Sequence, residues 1–374
     1  MAALEKKILK NSKRIVIKVG SALIRSDDKN LINEIILNRI VKEIIKLNEA
    51  GKEILLVSSG ALALGKKSLN FKKNNLKVSE KQAASSVGQV LLINAWKKAF
   101  LKYKKQCGQI LLTHLDAEIR SSAINARNTI ESLLKLNSIP IINENDSVAT
   151  QELRYGDNDQ LAARVAQITS SNLLIILSDV DGLYTSNPTK NTDALLIKYI
   201  KRITKSIEKK AENTSSSIAV GGMKTKIEAA KVTTSVGCNL VIANGKKNYP
   251  ISDIAENKAT WFLASQSVKA ARKKWILNMK SLGEIIIDFK AEKALKSGKS
   301  LLPVGATKCT GQFSRGDVVA VRGEDGQILA KGLTSFSQVE TEKILGIKSE
   351  DIPKVLGYNR KPELIHRDNM AFFN

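Results

Sequence analysis

The sequence predicts an α/β fold with a mostly parallel sheet covered by helices on both faces, followed by a smaller β-rich domain. Three observations predict it. Apolar runs of four or five residues alternate with segments in which apolar residues recur at helical spacing. This alternation continues to about residue 264. Beyond it, short β-like runs broken by glycine take over, which is typical of a separate β-rich unit.

The elements follow in order along the chain. Apolar runs predict strands in the large domain at residues 14–20, 54–57, 109–113, 139–142, 173–177 and 239–243. Helical spacing predicts helices at residues 31–50, 83–105, 121–136 and 223–236. Gly51 ends the first of these helices, since glycine readily takes the left-handed conformation after a helix. In the small domain, strands are expected at 283–288, 316–321 and 327–330.

The composition excludes several classes of protein. A chain of 374 residues with 43% hydrophobic and 26% charged residues is typical of a soluble protein with two domains. It contains no apolar run long enough to cross a bilayer, and its N-terminus lacks a signal-peptide core, so we expect a cytoplasmic protein. The widely spaced Cys107, Cys238 and Cys309 exclude a disulfide scaffold and a thiolate zinc site. Two histidines are too few for a histidine-rich metal site.

The net charge of +24 raises the possibility of a nucleic acid or another anionic partner. Most of the excess is lysine, spread along the predicted helices in pairs such as Lys66-Lys67 and Lys97-Lys98. The chain has neither interleaved aromatic residues nor one dense basic run. We therefore interpret the charge as solvated helix surfaces and do not expect a nucleic acid partner.

Two polar segments stand between apolar strands of the large domain. Asn143-Glu-Asn-Asp146 and Gly156-Asp-Asn-Asp159 together contain four carboxylates and three carboxamides. Folding alone does not require so much polarity between two buried strands. Carboxylates and amide oxygens accept hydrogen bonds from an ammonium group. These segments therefore predict a site for a charged ligand, such as an amino acid.

A second set of residues suits a phosphate. Gly221-Gly222 precedes the predicted helix at Met223, and a helix N-terminus offers free N–H groups and a positive dipole end. Lys226 adds a charge on that helix, and Lys18 stands at the end of the first strand. Because active sites of such sheets lie beyond the carboxyl ends of the strands, we expect these groups to converge. The strand-end residues concerned are Lys18, Ser58, Ser59, Gly60, Asn143, Asp146, Ser178 and Asp179.

Gly298-Lys299-Ser300 resembles the end of a P-loop but fails its requirements. The motif needs a glycine five residues before Gly298, where Lys293 stands. We therefore reject it as a nucleotide site.

At this point the motifs as a set resemble one family, the glutamate 5-kinases in their long form with a C-terminal PUA domain. In the large domain the matching segments are Val16-Ile-Lys-Val-Gly-Ser, Val57-Ser-Ser-Gly-Ala, Ile141-Ile-Asn-Glu-Asn-Asp-Ser-Val, Gly156-Asp-Asn-Asp, Asp181-Gly-Leu-Tyr-Thr and Gly221-Gly-Met-Lys-Thr-Lys. In the C-terminal part they are Ser300-Leu-Leu-Pro, Phe313-Ser-Arg-Gly-Asp and His366-Arg-Asp-Asn-Met.

The resemblance implies an amino-acid-kinase fold, a three-layer αβα sandwich, with domain bounds at 12–264, a linker at 265–281 and a PUA domain at 282–366. It implies transfer of the γ-phosphoryl group of ATP, with Mg²⁺, to the side-chain carboxylate of L-glutamate, the first step of proline biosynthesis. It also implies inhibition by L-proline, a homo-oligomer, and a glutamyl phosphate reductase as a possible partner.

The resemblance also assigns roles to residues. Lys18 and Lys226 would neutralise charge on the transferring group, and Asp159 would orient them. Glutamate would be held by Ser59, Asp146 and Asn158. The nucleotide would be held by Lys18, Ser178, Asp179, Val220, Gly221, Gly222, Met223, Lys224, Thr225 and Lys226.

The chain departs from the family pattern at Ala22, at Ala219-Val220 and at Lys224, which puts the contacts of the nucleotide loop in question but not the reaction class. Two alternatives stay open. One is a kinase of another carboxylate or carbamate on the same fold. The other is an RNA-binding or RNA-modifying protein, which the net charge favours but the carboxylates of residues 144–159 oppose, because they would repel a phosphate backbone.

Overall fold

The structure, a computed structural model, describes residues 2–26, 31–72, 76–148, 158–214, 222–256 and 258–373. It divides into two compact units, residues 1–268 and 269–374. No helix in these described ranges is both long and apolar enough to traverse a lipid bilayer.

The first unit alternates helices and strands. Its helices are α1 Ala2–Asn11, α2 Ser21–Ile24, α3 Glu34–Glu49, α4 Ala61–Ser68, α5 Val78–Leu101, α6 His114–Glu118, α7 Arg120–Lys135, α8 Asn158–Ile168, α9 Lys205–Thr214 and α10 Met223–Ser235. Its strands are β1 Arg14–Val19, β2 Glu53–Ser58, β3 Cys107–Leu112, β4 Ile139–Glu144, β5 Leu173–Ser178, β6 Tyr199–Ile200, β7 Asn239–Asn244 and β8 Ala259–Phe262.

These strands form one eight-stranded sheet in the order β3-β4-β2-β1-β5-β7-β8-β6. All neighbours run parallel except β7 and β8. β1 lies between β2 and β5, so the chain moves to one side of β1 first and to the other side later. At such a reversal a crevice opens beyond the carboxyl ends of the strands. The mostly parallel sheet expected from the sequence is confirmed.

Residues of β1 alternate between the two faces of the sheet. Ile15, Ile17 and Val19 belong to one buried cluster, which also contains residues of α3 and α5. Val16 belongs to the cluster on the opposite face, together with residues of α8 and α10. Because side chains alternate along a strand, Lys18 shares the face of Val16. The strand period therefore places Lys18 on the same side as α8 and α10.

Two glycines allow α4 and α5 to touch through their backbones. A Cβ at Gly88 would stand 1.8 Å from the carbonyl oxygen of Ala61, and one at Gly65 would stand 1.7 Å from that of Ala84. Neither contact is possible for a larger residue, so this approach depends on glycine at both positions. The close packing fixes the position of α5 against the helix that follows β2.

The second unit has its own mixed sheet and core. Its helices are α11 Val268–Asn278, α12 Phe289–Lys296, α13 Gln338–Ile344 and α14 Ile352–Leu356. Its strands β9 Gly283–Ile287, β10 Ala306–Gly311, β11 Val318–Gly323, β12 Ile328–Leu333 and β13 Met370–Phe372 pair in the order β10-β9-β11-β12-β13. The small β-rich domain expected from the sequence is confirmed.

The connector expected at 265–281 is largely helical in the structure. Most of it is the helix α11, whose Ala271 and Ile276 are buried. Two apolar positions among many cations give too weak a pattern for a sequence-based helix assignment. The structure separates the units after Val268. The bounds 12–264 and 282–366 stay predictions.

Candidate active site

Two buried lysines meet one buried aspartate beyond the end of β1. Lys18 Nζ lies 2.6 Å from Asp159 Oδ1, and Lys226 Nζ lies 3.0 Å from Asp159 Oδ2. Lys18 is 3% exposed, Lys226 is 4% exposed and Asp159 is fully buried. β1 supplies Lys18, the first turn of α8 supplies Asp159, and the first turn of α10 supplies Lys226. Three elements far apart in sequence thus converge on one carboxylate.

The electrostatics of this triad favour an anion. Two lysines and one aspartate carry one net positive charge in a site shielded from solvent. Charges interact more strongly there than at the surface, because the effective dielectric is lower. Removal of Asp159 would leave two like charges buried side by side, a change that typically costs several kcal/mol. Asp159 therefore holds both ammonium groups in place while one positive charge remains for a ligand.

The start of α10 adds to this arrangement. Thr225 Oγ1 lies 3.2 Å from Asp159 Oδ2 and 2.8 Å from the carbonyl oxygen of Gly222. Gly222 is the N-cap of α10, and no capping side-chain hydrogen bond is found there among the described residues. Main-chain N–H groups of an uncapped first turn are donors for an anion such as a phosphate.

A chain of amide hydrogen bonds runs beside the triad. Asn158 Nδ2 donates to the carbonyl oxygen of Ser58 at 2.7 Å and to Asn143 Oδ1 at 2.6 Å. Asn143 Nδ2 in turn donates to Gln89 Oε1 at 2.6 Å. Trp96 Nε1 donates to Ser58 Oγ at 2.9 Å. The ends of β2 and β4 and the start of α8 are thereby tied together.

Two further groups belong to this edge of the sheet. Ser59 Oγ is buried and has no hydrogen-bond partner within the described part of the chain. A buried hydroxyl without a partner is costly, which makes Ser59 a candidate contact for a ligand. Asp146 lies in the turn after β4 and is half-buried.

The end of β5 forms the neighbouring part of the edge. Ser178 Oγ donates to Asp179 Oδ1 at 3.1 Å. In the turn that follows, Asp181 accepts from Tyr184 Oη at 3.3 Å and pairs with Lys247 at 3.2 Å. Burial raises the pKa of Tyr184, and the Asp181 carboxylate raises it further.

Gly182 is required in this turn. A Cβ there would stand 2.3 Å from Thr260 Oγ1. That oxygen accepts from the N–H of Leu183 at 2.8 Å. The turn after β5 therefore closes directly on β8.

The structure brings most of the expected site residues to one edge. Asp159 contacts Lys18, Lys226 and Thr225, and Asn158 reaches the strand that ends before Ser59. Ser178 and Asp179 lie at the end of the adjacent strand β5.

The nucleotide loop is only partly covered by the structure. Met223 packs its side chain into the core cluster, so what it offers a ligand is its main-chain N–H at the start of α10. Lys224 is exposed. Gly156, Asp157, Val220 and Gly221 lie outside the described residues.

Sequence reasoning missed Gln89 and Trp96, and it gave Asn143 no individual role. Both missed residues lie on α5, which was expected only as a helix. The available signal was Gly88, because a glycine inside a helical pattern lowers helix stability and often marks a close approach. Gly88 packs against α4, and the next residue, Gln89, contacts Asn143 at the end of β4.

Comparisons with known proteins agree with this architecture. Residues 13–244 match the model of the amino acid kinase family, and residues 283–356 match that of the PUA domain. A glutamate 5-kinase of Pelagibacter ubique is 50% identical over 97% of this chain and 99% of its own length. Glutamate 5-kinase 1 of Rhizobium meliloti is 45% identical over 98% of this chain and 93% of its own, and the enzyme of Nitrobacter hamburgensis is 44% identical over 97% and 96%.

Several features of this chain fit such relatives. An amino acid kinase domain with two lysines on one aspartate precedes a small β-rich unit that matches the PUA model. Each alignment covers nearly the whole length of this chain and of its relative. The chain belongs to the glutamate 5-kinase family.

Proposed function

We propose that this chain transfers the γ-phosphoryl group of ATP to the side-chain carboxylate of L-glutamate and forms L-glutamyl 5-phosphate and ADP, the first step of proline biosynthesis. The observation that carries the proposal is the buried contact of Lys18 and Lys226 with Asp159 beside the amide chain of Asn158 and Asn143. Cationic groups and hydrogen-bonding amide groups are adjacent there, as the reaction requires.

The reaction needs positioning rather than a general base. A glutamate carboxylate is ionised at neutral pH and is already the nucleophile. One of its oxygens attacks the γ-phosphorus, and the bond from that phosphorus to the bridging oxygen of ADP breaks. Two anions must approach in line, and charge spreads over the transferring oxygens. In this proposal, Lys18 and Lys226, each held by one oxygen of Asp159, neutralise that charge.

Glutamate is assigned to the polar groups beside the triad. Asp146 would pair with the ammonium group, and Asn158 and Ser59 would donate to or accept from the substrate. The unpartnered hydroxyl of Ser59 supports this assignment, as does the position of Asn158 between Ser58 and Asn143. The turn after β4, which carries Asp146, leaves the same edge of the sheet as the triad.

The nucleotide is assigned to the end of β5 and the start of α10. Ser178 and Asp179 lie beside β1, and the uncapped turn at Gly222 and Met223 offers N–H groups to phosphates. The described residues contain no cluster of three potential metal ligands. We assign Mg²⁺ to the phosphates of ATP, because this ion commonly keeps waters and uses few protein carboxylates. When bound, it neutralises phosphate charge.

A trapping assay tests the reaction. Hydroxylamine converts an acyl phosphate to a hydroxamate, so Mg-ATP and L-glutamate should give a coloured product with iron. L-Aspartate, N-acetylglutamate and carbamate are the comparison substrates. A preference for N-acetylglutamate would contradict the proposal, because a blocked amine cannot pair with Asp146. A preference for carbamate would favour the other kinase interpretation of the fold.

The proposal extends to regulation and partners. L-Proline shares the α-carboxylate and ammonium of glutamate, so we propose that it competes at or near the same groups. Raising proline to millimolar concentration should increase the apparent KM for glutamate; an unchanged KM would remove this part. We also propose that the chain forms a homo-oligomer and is located in the cytoplasm. A reductase that consumes the unstable acyl phosphate is its proposed partner.

A further inference from the structure

The second unit contains a positively charged pocket with an apolar floor. Its volume is about 70 Å³. α11, the turn after α12 and the turn before β13 form its walls. Leu295, Met370 and Phe372 form the apolar part. The lining residues are Lys269, Lys273, Leu295, Gly298, Lys299, Arg367, Asp368, Met370 and Phe372.

Four cations and one carboxylate surround this pocket. Lys269, Lys273, Lys299 and Arg367 make no side-chain hydrogen bond or ion pair with any residue that the structure describes. The carboxylate of Asp368 lies 3.6 Å from His366 Nδ1. Like charges around one concavity repel each other, and an anion between them removes that repulsion.

Some other cations of the same unit have acidic partners. Lys296 pairs with Glu292 at 2.6 Å, Arg322 with Glu284 at 2.7 Å, and Lys354 with Asp351 at 2.8 Å. Cations elsewhere in the unit, such as Lys290 and Lys308, also have no acidic partner among the described residues, so the pocket is distinguished by four cations that line one concavity with an apolar floor.

Local contacts hold the pocket together. Lys269 and Lys273 are four residues apart on α11 and share one helix face. Arg272 of the same helix donates to Asn369 Oδ1 at 2.7 Å, which ties α11 to the turn that carries Arg367. The main-chain N–H of Arg367 donates to Ser300 Oγ at 3.0 Å.

Gly298 completes the wall beneath Arg367. Its φ of +82° is a left-handed conformation that favours glycine, and the guanidinium of Arg367 lies 3.5 Å from where a Cβ would stand. The Gly-Lys-Ser segment that failed as a P-loop therefore contributes to an anion pocket of a different kind.

We propose that this pocket binds a phosphoryl oxyanion. About 10–15 Å³ of such volume holds one water, so the pocket holds a group of roughly five to seven heavy atoms. A phosphoryl group has this size, and a guanidinium with three ammonium groups supplies donors around it. The ligand is either a free phosphate or one phosphate of a nucleic acid strand. None of the lining residues belongs to the proposed kinase site.

Calorimetric titration of the full-length chain with inorganic phosphate, at constant ionic strength with chloride as reference, tests the site. The double variant Lys273→Ala/Arg367→Ala should bind phosphate about tenfold or more weakly, because it loses charge-assisted hydrogen bonds. The matched control Lys290→Ala/Lys308→Ala removes two exposed cations of the same unit outside the pocket and should retain the wild-type affinity. Circular dichroism and unchanged kinase kinetics confirm that both variants fold.

Filter binding of a single-stranded RNA oligonucleotide at two salt concentrations separates the two sources. A selective loss in the pocket variant for RNA as well as for phosphate, with RNA the tighter ligand, assigns the phosphoryl group to a nucleic acid. A selective loss for phosphate alone assigns it to a small anion. If pocket and control variants behave alike with both ligands, the proposal is wrong and these residues contribute only net charge.

Discussion

The two groups of positive side chains in this protein differ in burial and in pairing. Lys18 and Lys226 are nearly inaccessible and share the carboxylate of Asp159. The four cations of the second unit's pocket are exposed and have no acidic partner among the described residues. A buried lysine cannot exchange its partner for water, so its position is fixed. An exposed one is hydrated and screened by salt, so its effect on a ligand is smaller.

This difference shows why total charge is a poor guide to function. Lys and Arg number 60 in the chain, yet the proposed phosphoryl transfer depends on two of them. What distinguishes these two is the aspartate between them and their exclusion from water. The experiments that follow sharpen the contrast, from the buried charges outward.

The largest effect is expected for Lys226→Met. Methionine is likewise unbranched and of similar length but has no charge, in a site where a preorganised cation is worth roughly 3–4 kcal/mol in the transition state. We expect kcat to fall by about a hundredfold to a thousandfold, with the protein still folded. Steady-state kinetics by the hydroxamate assay measure it.

A matched control lies on the same helix. Lys231 is partly exposed and pairs with Glu228 at 2.8 Å, so Lys231→Met should leave kcat unchanged. A kcat for Lys226→Met within a few-fold of wild type would remove this lysine from the mechanism.

A second effect is expected at the substrate side of the edge. Asp146→Asn keeps the shape but loses the charge that would pair with the ammonium of glutamate. A charged hydrogen bond contributes about 1.5–3 kcal/mol, so we expect the KM for glutamate to rise by about tenfold to a hundredfold. The KM for ATP should stay within about twofold, because Asp146 is assigned to glutamate and not to the nucleotide. A twofold change corresponds to only about 0.4 kcal/mol. Equal increases in both constants would show a general distortion instead.

The sequence was sufficient for the sheet and for the strand-end residues. The apolar strands and Gly222 before α10 were enough to predict that Lys18 and Lys226 lie at the same edge of the sheet. It was insufficient for α5. The hydrogen bond between Gln89 and Asn143 depends on helix packing through Gly65 and Gly88, which only three-dimensional contacts reveal. The helix α11 was likewise hidden by its high lysine content.

A third, smaller effect is expected for Gln89→Ala. The variant removes the acceptor of Asn143 Nδ2 and leaves that amide with one fewer partner. Such a hydrogen bond is worth about 0.5–1.5 kcal/mol, so the KM for glutamate should rise by up to about tenfold. Since Gln89 is proposed to position Asn143 and not to touch the phosphoryl group, kcat should change little.

Val90→Ala is the control for this variant, because Val90 is 58% exposed and is the next residue of α5. A loss of kcat equal to the rise in KM would contradict a positioning role for Gln89. An unchanged KM would show that Asn143 keeps its orientation without this partner.

The smallest effect on chemistry is expected from removal of the second unit. All residues assigned to the reaction lie within the first unit, so a chain ending at Val268 should retain kcat within a few-fold of the full chain. The break at Val268 is preferable to one near Ser281, since the latter leaves α11 without its contacts. Lys331 Nζ of β12 donates to the carbonyl oxygens of Leu277 and Met279 at 2.9 and 2.8 Å, and these are lost in the longer truncation product.

Urea unfolding and the hydroxamate assay on both truncated chains measure the outcome. The chain ending at Val268 should unfold in one sharp transition and stay active. The chain ending at Ser281 should be equally active but expose Ile276, which is buried in the full chain, and so should aggregate more readily. Loss of activity in both chains, with folding intact, would show that the second unit contributes to catalysis. The buried, paired lysines of the first unit could then no longer be assigned to catalysis alone, nor the exposed, unpaired cations of the second unit to binding alone.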